Sequence, residues 1–163
     1  MNKYVSSGHE RRHDDHYPTV DRRCIEALID SWDIPLPALD PFCSGLETGL
    51  HPAQIGSLDS AAAFKSIVTN PPYKRGLVDR LVRDCLDAME NGPSVVALLM
   101  RIQWDTAKSR KHLFRPPFAA SLRLLFRPYW TEERKASPIH SYQWLVWDKR
   151  ATPGWPIVKH VGG

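Results

Sequence analysis

Apolar positions along the chain follow two spacings, one typical of helices and one typical of buried strands. Apolar residues recur every three or four positions between Val20 and Trp32 and again between Leu77 and Met89, which predicts two amphipathic helices. The basic stretch 105–114 is expected to form a third helix. Short apolar runs predict strands at residues 36–39, 66–69, 94–100, 121–126 and 142–147.

Alternating strands and helices favour an α/β fold, in which a parallel or mixed sheet carries helices on both faces. The chain has 163 residues, which fits one domain. We expect a flexible polar arm at 1–16, the folded domain at 17–148 and a C-terminal tail at 149–163, with a long polar loop at 128–141.

The composition is that of a globular protein, with 42% hydrophobic and 25% charged residues. The longest apolar run, 95–100, is far shorter than the ~20 residues that cross a bilayer. The N-terminus lacks the apolar stretch of a secretory signal, so we expect a cytoplasmic protein. Cys24, Cys43 and Cys85 form no CxxC pair, which excludes a zinc ribbon and predicts reduced, mostly buried thiols.

Charge is concentrated in one part of the chain, although the net charge is only +4. Between Arg101 and Lys135, nine Lys or Arg face three Asp or Glu, and six aromatic residues are interleaved with them. This mixture fits a surface for a polyanion such as nucleic acid. A solvated basic face explains the charge equally well.

Two polar segments follow predicted strands, where open α/β sheets bind their ligands. One runs from Asp40 to Gly45, and the other is Asn70-Pro71-Pro72-Tyr73. Because proline lacks a backbone donor, the carbonyls before the two prolines stay available as acceptors beside the Asn70 amide. Such acceptors next to the flat face of Tyr73 fit a planar NH2 group, for example that of a base extruded from its stack. A proline-rich turn that merely ends a strand is the plain alternative.

These segments resemble known motifs. The run Asn70-Pro71-Pro72-Tyr73 is similar to the catalytic motif of S-adenosylmethionine-dependent amino methyltransferases, and Asp40-Pro41-Phe42 resembles the start of their cofactor motif. The segment 16–19, His-Tyr-Pro-Thr before a helix, resembles the entry to that motif in adenine-specific DNA enzymes. The likeness is to the small phage- and prophage-type N6-adenine methyltransferases and extends over about residues 14–157.

The resemblance implies a Rossmann-like methyltransferase fold, S-adenosylmethionine as cofactor, DNA as partner, and a bacterial or phage-infected cell as the location. It implies no metal. By this resemblance the adenine amine is held by Asn70, Pro71, Pro72 and Tyr73. The cofactor is surrounded by Tyr17, Thr19, Asp40, Pro41, Phe42, Gly45 and Asp59. DNA is contacted by Arg101, Lys108, Arg110 and Lys111.

The cofactor half departs from the family pattern. Only 29 residues separate Asp40 from Asn70, and at ~11 residues per helix and ~5 per strand they cannot hold two helices and two further strands. We therefore expect the sheet to lack its second and third strands and to expose the first as an edge. A homodimer or a partner chain could cover that edge.

Other functions remain open. The chain could be a catalytically inactive methyltransferase-like subunit that binds nucleic acid or depends on a partner. The same motif also serves enzymes that methylate a glutamine side chain or an RNA guanine. Finally, His9-Glu10-Arg11-Arg12-His13 matches the HExxH pattern of zinc proteases, but it lies in a polar arm without an apolar helix face.

Overall fold

The computed structural model describes residues 19–42, 47–48, 51–52, 54–55, 57–74, 76–130, 139–152, 154 and 156–163. Its helices are α1 (Arg23–Ile29) and α2 (Leu77–Ala88), with 3-10 helices at Leu58–Ala63, Ile102–Thr106 and Lys108–Phe114. Its strands are β1 (Ala38–Asp40), β2 (Glu47–Thr48), β3 (His51–Pro52), β4 (Gln54–Ile55), β5 (Ser66–Thr69), β6 (Val95–Arg101), β7 (Phe118–Leu124), β8 (Tyr142–Asp148) and β9 (Ile157–Val161).

Seven strands form one mixed sheet in the order β4-β1-β5-β6-β8-β7-β9. Strands β4, β1, β5 and β6 pair in parallel, and β9 pairs in parallel with β7. Strand β8 lies between β6 and β7 and runs antiparallel to both. The short strands β2 and β3 form a separate antiparallel pair. The carboxyl ends of β1, β5, β6 and β7 therefore lie along the same edge of the sheet.

Helices cover both faces of the sheet, which confirms the predicted α/β architecture. In β6, alternate residues such as Leu99 pack in the core that contains Leu28 of α1. Their neighbours, such as Leu98, pack in the core that contains Val82 of α2. Burial on both faces explains why 95–100 is a continuous apolar run and does not alternate with polar residues.

The basic stretch 105–114 does not form the predicted α-helix; it lies in two 3-10 helices. Their buried residues are Trp104 and Leu113, nine positions apart, so the segment has no apolar stripe at helical spacing. Short 3-10 turns need no such stripe.

The structure also corrects the expected sheet edges. Strand β1 is not an edge, because β4 pairs with it through Leu39↔Gln54 and Asp40↔Ile55, so the prediction of a missing second strand is wrong. On this side the described sheet ends at β4. The segment 149–163 is not simply a tail, because it contributes β9. A two-residue strand and a strand exposed at four of its five residues carry no periodic apolar signal.

Two cysteines lie in the core, as predicted. Cys24 and Cys85 are buried and form no disulfide. Burial raises the pKa of the Cys85 thiol to about 12 and also raises that of Cys24. Both thiols therefore stay protonated and chemically inert near neutral pH. None of the described helices is long and apolar enough to span a bilayer.

A polar clamp joins the end of β8 to the segment after α1. The Asp148 carboxylate accepts hydrogen bonds from Trp32 Nε1 at 3.0 Å and from Arg150 at 2.8–3.0 Å, and Arg150 also binds Asp33. Burial alone would raise the pKa of Asp148, but the hydrogen bonds from Arg150 and Trp32 outweigh burial and hold that pKa below its usual 3.8. The charged form of Asp148 therefore stabilises the fold.

We predict that Asp148→Asn lowers the free energy of unfolding by about 1–3 kcal/mol near neutral pH, because charge-assisted hydrogen bonds are lost at a buried position. Because the folded pKa lies below the unfolded one, this contribution is complete above the unfolded pKa and disappears as the pH falls through the folded pKa. Denaturant titrations at about pH 7 and at about pH 3 measure the effect.

The matched control is Asp33→Asn. The Asp33 side chain also binds Arg150 but is almost fully exposed, so its loss should cost less than about 0.5 kcal/mol. A loss at Asp33 as large as that at Asp148, or a pH-independent effect at Asp148, would contradict the proposed role of the clamp.

Candidate active site

The sheet changes direction between β1 and β5. From β1 the chain reaches β4 on one side, and it then returns to β5 on the other side of β1. The carboxyl ends of β1 and β5 thus flank a topological switch point, which is where open α/β sheets hold ligands. Asp40 is the last residue of β1, and Asn70 directly follows β5. The two segments predicted to carry the chemistry therefore meet at one place.

The Asp40 carboxylate is buried, with 2% of the residue exposed. Its Oδ1 accepts a hydrogen bond of 2.5 Å from Thr69 Oγ1 and one of 3.3 Å from the backbone N–H of Phe42. Pro41 and Phe42 are half-buried, and Phe42 packs against the core on the α2 side. Since a buried charge is costly without such bonds, these donors keep the carboxylate stable at the strand end.

The Asn70 side chain is held at both ends of its amide and is also 2% exposed. Its Nδ2 donates to Thr19 Oγ1 at 3.1 Å. Its Oδ1 accepts from the Tyr73 hydroxyl at 2.5 Å. Thr19, predicted to cover a cofactor, lies just before α1 and is buried against this amide. The two contacts give the Asn70 amide a defined orientation, with its acceptor oxygen towards Tyr73.

The Tyr73 hydroxyl lies between two acceptor groups of the site. That oxygen lies 2.5 Å from Asn70 Oδ1 and 2.6 Å from the carbonyl oxygen of Leu99 in β6. A phenol has one proton, so it donates to only one of these acceptors at a time. An amide oxygen has two lone pairs, so an amine that binds Asn70 Oδ1 either shares that oxygen with the Tyr73 hydroxyl or replaces the hydroxyl there. When the hydroxyl does not donate to Asn70, the Leu99 carbonyl 2.6 Å away is its second acceptor.

A cation lies on the Tyr73 ring. The Arg101 guanidinium, at the end of β6, is 5.0 Å from the ring centroid, and the ring of Tyr142 is 5.8 Å away. Arg101 Nε is buried and has no hydrogen-bond partner in the described part of the chain; the same holds for Arg123. A buried guanidinium N–H without an acceptor is unusual in proteins.

The other predicted basic residues have different surroundings. Arg110 Nε donates to Asp79 Oδ1 at 2.9 Å, and its guanidinium stacks over Trp104 at 4.6 Å. Arg110 therefore anchors its 3-10 helix to the first turn of α2. Lys108 and Lys111 are exposed on the same 3-10 helix.

Within the described part of the chain, no hydrogen bond joins Asp59 to Asp40 or Asn70. Asp59 is exposed, and its carboxylate accepts from Ser57 Oγ at 3.0 Å. Pro71 is buried and Pro72 half-buried within the motif itself. Tyr17, Gly45 and the His9–His13 pattern lie outside the described residues. Across the described ranges, no cluster of His, Cys, Asp and Glu could hold a metal ion.

Two groups of the site were not predicted from the sequence. Thr69 is fully buried and binds Asp40. The feature of the sequence that could have identified it is a hydroxyl side chain at the last position of an apolar strand. The Leu99 carbonyl left no such signal, because every residue has a carbonyl and its position depends on where β5 ends beside β6.

Searches against protein-family models, curated proteins and solved structures found no match to this chain.

Proposed function

We propose that the chain transfers a methyl group from S-adenosylmethionine to the N6 amine of adenine in DNA, using a Rossmann-like methyltransferase fold with a shortened cofactor half. The main support is the meeting of Asp40 with the Asn70–Tyr73 segment at the switch point of the sheet. The motif resemblance supplies the reaction and adenine as the target. The exposed lysines of the basic segment support a nucleic-acid partner.

Two residues at the end of β1 offer groups that suit such a cofactor. S-adenosylmethionine carries a sulfonium and an ammonium group, and when bound it supplies an electrophilic methyl group. Asp40 offers a buried carboxylate that can accept from the ammonium, and half-buried Phe42 offers an apolar surface beside it. Thr69 keeps the carboxylate in place through its hydroxyl.

Asn70 would bind the target amine. When the Tyr73 hydroxyl turns its proton to the Leu99 carbonyl, Asn70 Oδ1 can accept one N–H of the amine. The Pro71 carbonyl is the second acceptor implied by the motif. Two such bonds direct the nitrogen lone pair away from the acceptors. Because Thr19 already fixes the amide, little reorganisation is needed, and positioning supplies much of the acceleration of a direct displacement.

Tyr73 and Arg101 would hold the rest of the nucleotide. The Tyr73 ring is half-buried with the Arg101 guanidinium over it, and an extruded base would stack on this ring by taking the place of Arg101. Arg101 lies at the end of β6 beside Tyr73, and its guanidinium can donate to a neighbouring phosphate when it leaves the Tyr73 ring. Lys108 and Lys111 would add phosphate contacts, whereas Arg110 serves mainly to hold their segment to α2.

A second candidate is an inactive or partner-dependent subunit that still binds nucleic acid. One observation favours it: beyond Asp40 the described sheet continues only through the two-residue strand β4. A homodimer or another chain could complete that edge. We place either form in the cytoplasm of a bacterium or a phage-infected cell.

The proposal predicts methyl transfer to adenine that depends on Asn70. Duplex DNA is incubated with the protein and with S-adenosylmethionine that carries a deuterated methyl group, then digested and analysed by mass spectrometry. We expect labelled N6-methyladenine, and Asn70→Ala should lower its rate ~10²-fold or more because the oriented acceptor is lost.

The matched control is Asn91→Ala, at an exposed turn after α2, which should keep the wild-type rate. Label on another base or on protein would redirect the proposal to that amine. No label with any DNA, alongside DNA binding that survives, would favour the inactive subunit.

Two substitutions of Tyr73 test the role of its ring and the role of its hydroxyl separately. Tyr73→Phe keeps the stacking surface and removes the group that occupies Asn70 Oδ1, so kcat/KM for DNA should stay within ~3-fold of wild type. Tyr73→Ala loses the ring, and kcat/KM should fall ~10- to 100-fold, in line with base stacking of about 1–3 kcal/mol. Equal losses in both variants would show that the hydroxyl itself is needed for transfer.

A further inference from the structure

We infer that Thr69 and Thr19 are separate positioning residues, one for the cofactor-binding acid and one for the catalytic amide. Thr69 would set the Asp40 carboxylate, and Thr19 would set the Asn70 amide. This inference rests on the proposed function and assigns to Thr19 a different role from the cofactor contact implied by the resemblance.

Thr69 is placed to act on Asp40. It is the last residue of β5, is 0% exposed, and donates its Oγ1 proton to Asp40 Oδ1 across the β1–β5 pair. The backbone N–H of Phe42 binds the same oxygen at the longer distance of 3.3 Å. The hydroxyl thus supplies the shorter of these two bonds to Oδ1, and a short bond to a carboxylate is the stronger kind.

Thr19 acts in the opposite sense, as an acceptor. Its Oγ1 receives the Nδ2 proton of Asn70 across 51 positions of the chain. With Nδ2 tied to Thr19, the Oδ1 atom faces the Tyr73 hydroxyl, where the target amine is expected. Without this acceptor, the amide can rotate and present an N–H to the amine, which is also a donor.

The two hydroxyls can be removed separately. Valine has nearly the shape of threonine but no hydroxyl, and serine keeps the hydroxyl. Thr69→Val should raise the Kd for S-adenosylmethionine ~10-fold and leave kcat at saturating cofactor within ~2-fold. Thr19→Val should lower kcat ~10-fold and leave the cofactor Kd within ~2-fold. Thr69→Ser and Thr19→Ser should each restore the affected constant.

A readout without turnover tests the Thr19 contact. In NMR spectra, the Asn70 side-chain NH2 should exchange with solvent at least ~10-fold faster in Thr19→Val than in wild type, and at the wild-type rate in Thr69→Val. Thr152→Val, at an exposed threonine outside the basic segment, is the control for a general effect of the substitution and should change none of these quantities.

Several results would overturn the inference. Equal effects of both valine variants on Kd and kcat would indicate a general loss of structure. A raised cofactor Kd in Thr19→Val would support a direct contact of Thr19 with the cofactor. Unchanged solvent exchange of the Asn70 amide in Thr19→Val would show that Thr19 does not position this amide. If wild type neither binds cofactor nor methylates DNA while the exchange result holds, the proposed function fails and the Thr19–Asn70 contact stands as structural.

Discussion

Two buried polar side chains at the ends of adjacent parallel strands are the constraint on which the rest of the site depends. Asp40 and Asn70 are cut off from water, so each must find hydrogen-bond partners inside the protein. Thr69, Thr19 and Tyr73 supply them. The result is an acid and an amide in fixed orientations at the ends of two neighbouring strands, at the switch point of the sheet.

The same rule applies elsewhere in the molecule. Buried Asp21 is bound by Arg23 and by the backbone N–H of Tyr129, and buried Gln143 bonds with Ser121 and Asp105. The first set of contacts joins the loop at Tyr129 to the start of α1, and the second joins the 3-10 helix at Asp105 to β7 and β8; neither requires a ligand. Asp40 and Asn70 differ from them in their position at the switch point and in the tyrosine hydroxyl that shares its proton between two acceptors.

Much of the fold could be read from the sequence where burial was regular. The strand at 66–69 has the predicted bounds, and the second helix ends at Ala88, one residue before the predicted Met89. Strands β4 and β9 escaped prediction because one is two residues long and the other is mostly exposed. Their presence depends on pairing with β1 and β7, which is a tertiary effect.

The site was predictable to a similar extent. The meeting of Asp40 and Asn70 followed from two neighbouring parallel strands, since their carboxyl ends share one edge. The partner of the Asn70 amide did not follow, because Thr19 lies 51 positions away and no periodicity links the two. The anchoring of Arg110 by Asp79 was equally hidden, and it separates one basic residue from its exposed neighbours.

The most direct test of the central claim is a calorimetric titration of the protein with S-adenosylmethionine, in wild type and in Asp40→Ala. If the Asp40 carboxylate at the end of β1 binds the cofactor, the wild type shows saturable binding with one site per chain. Asp40→Ala then loses this binding while remaining folded. Absence of binding in wild type, with and without DNA, or equal binding in Asp40→Ala, would contradict the account.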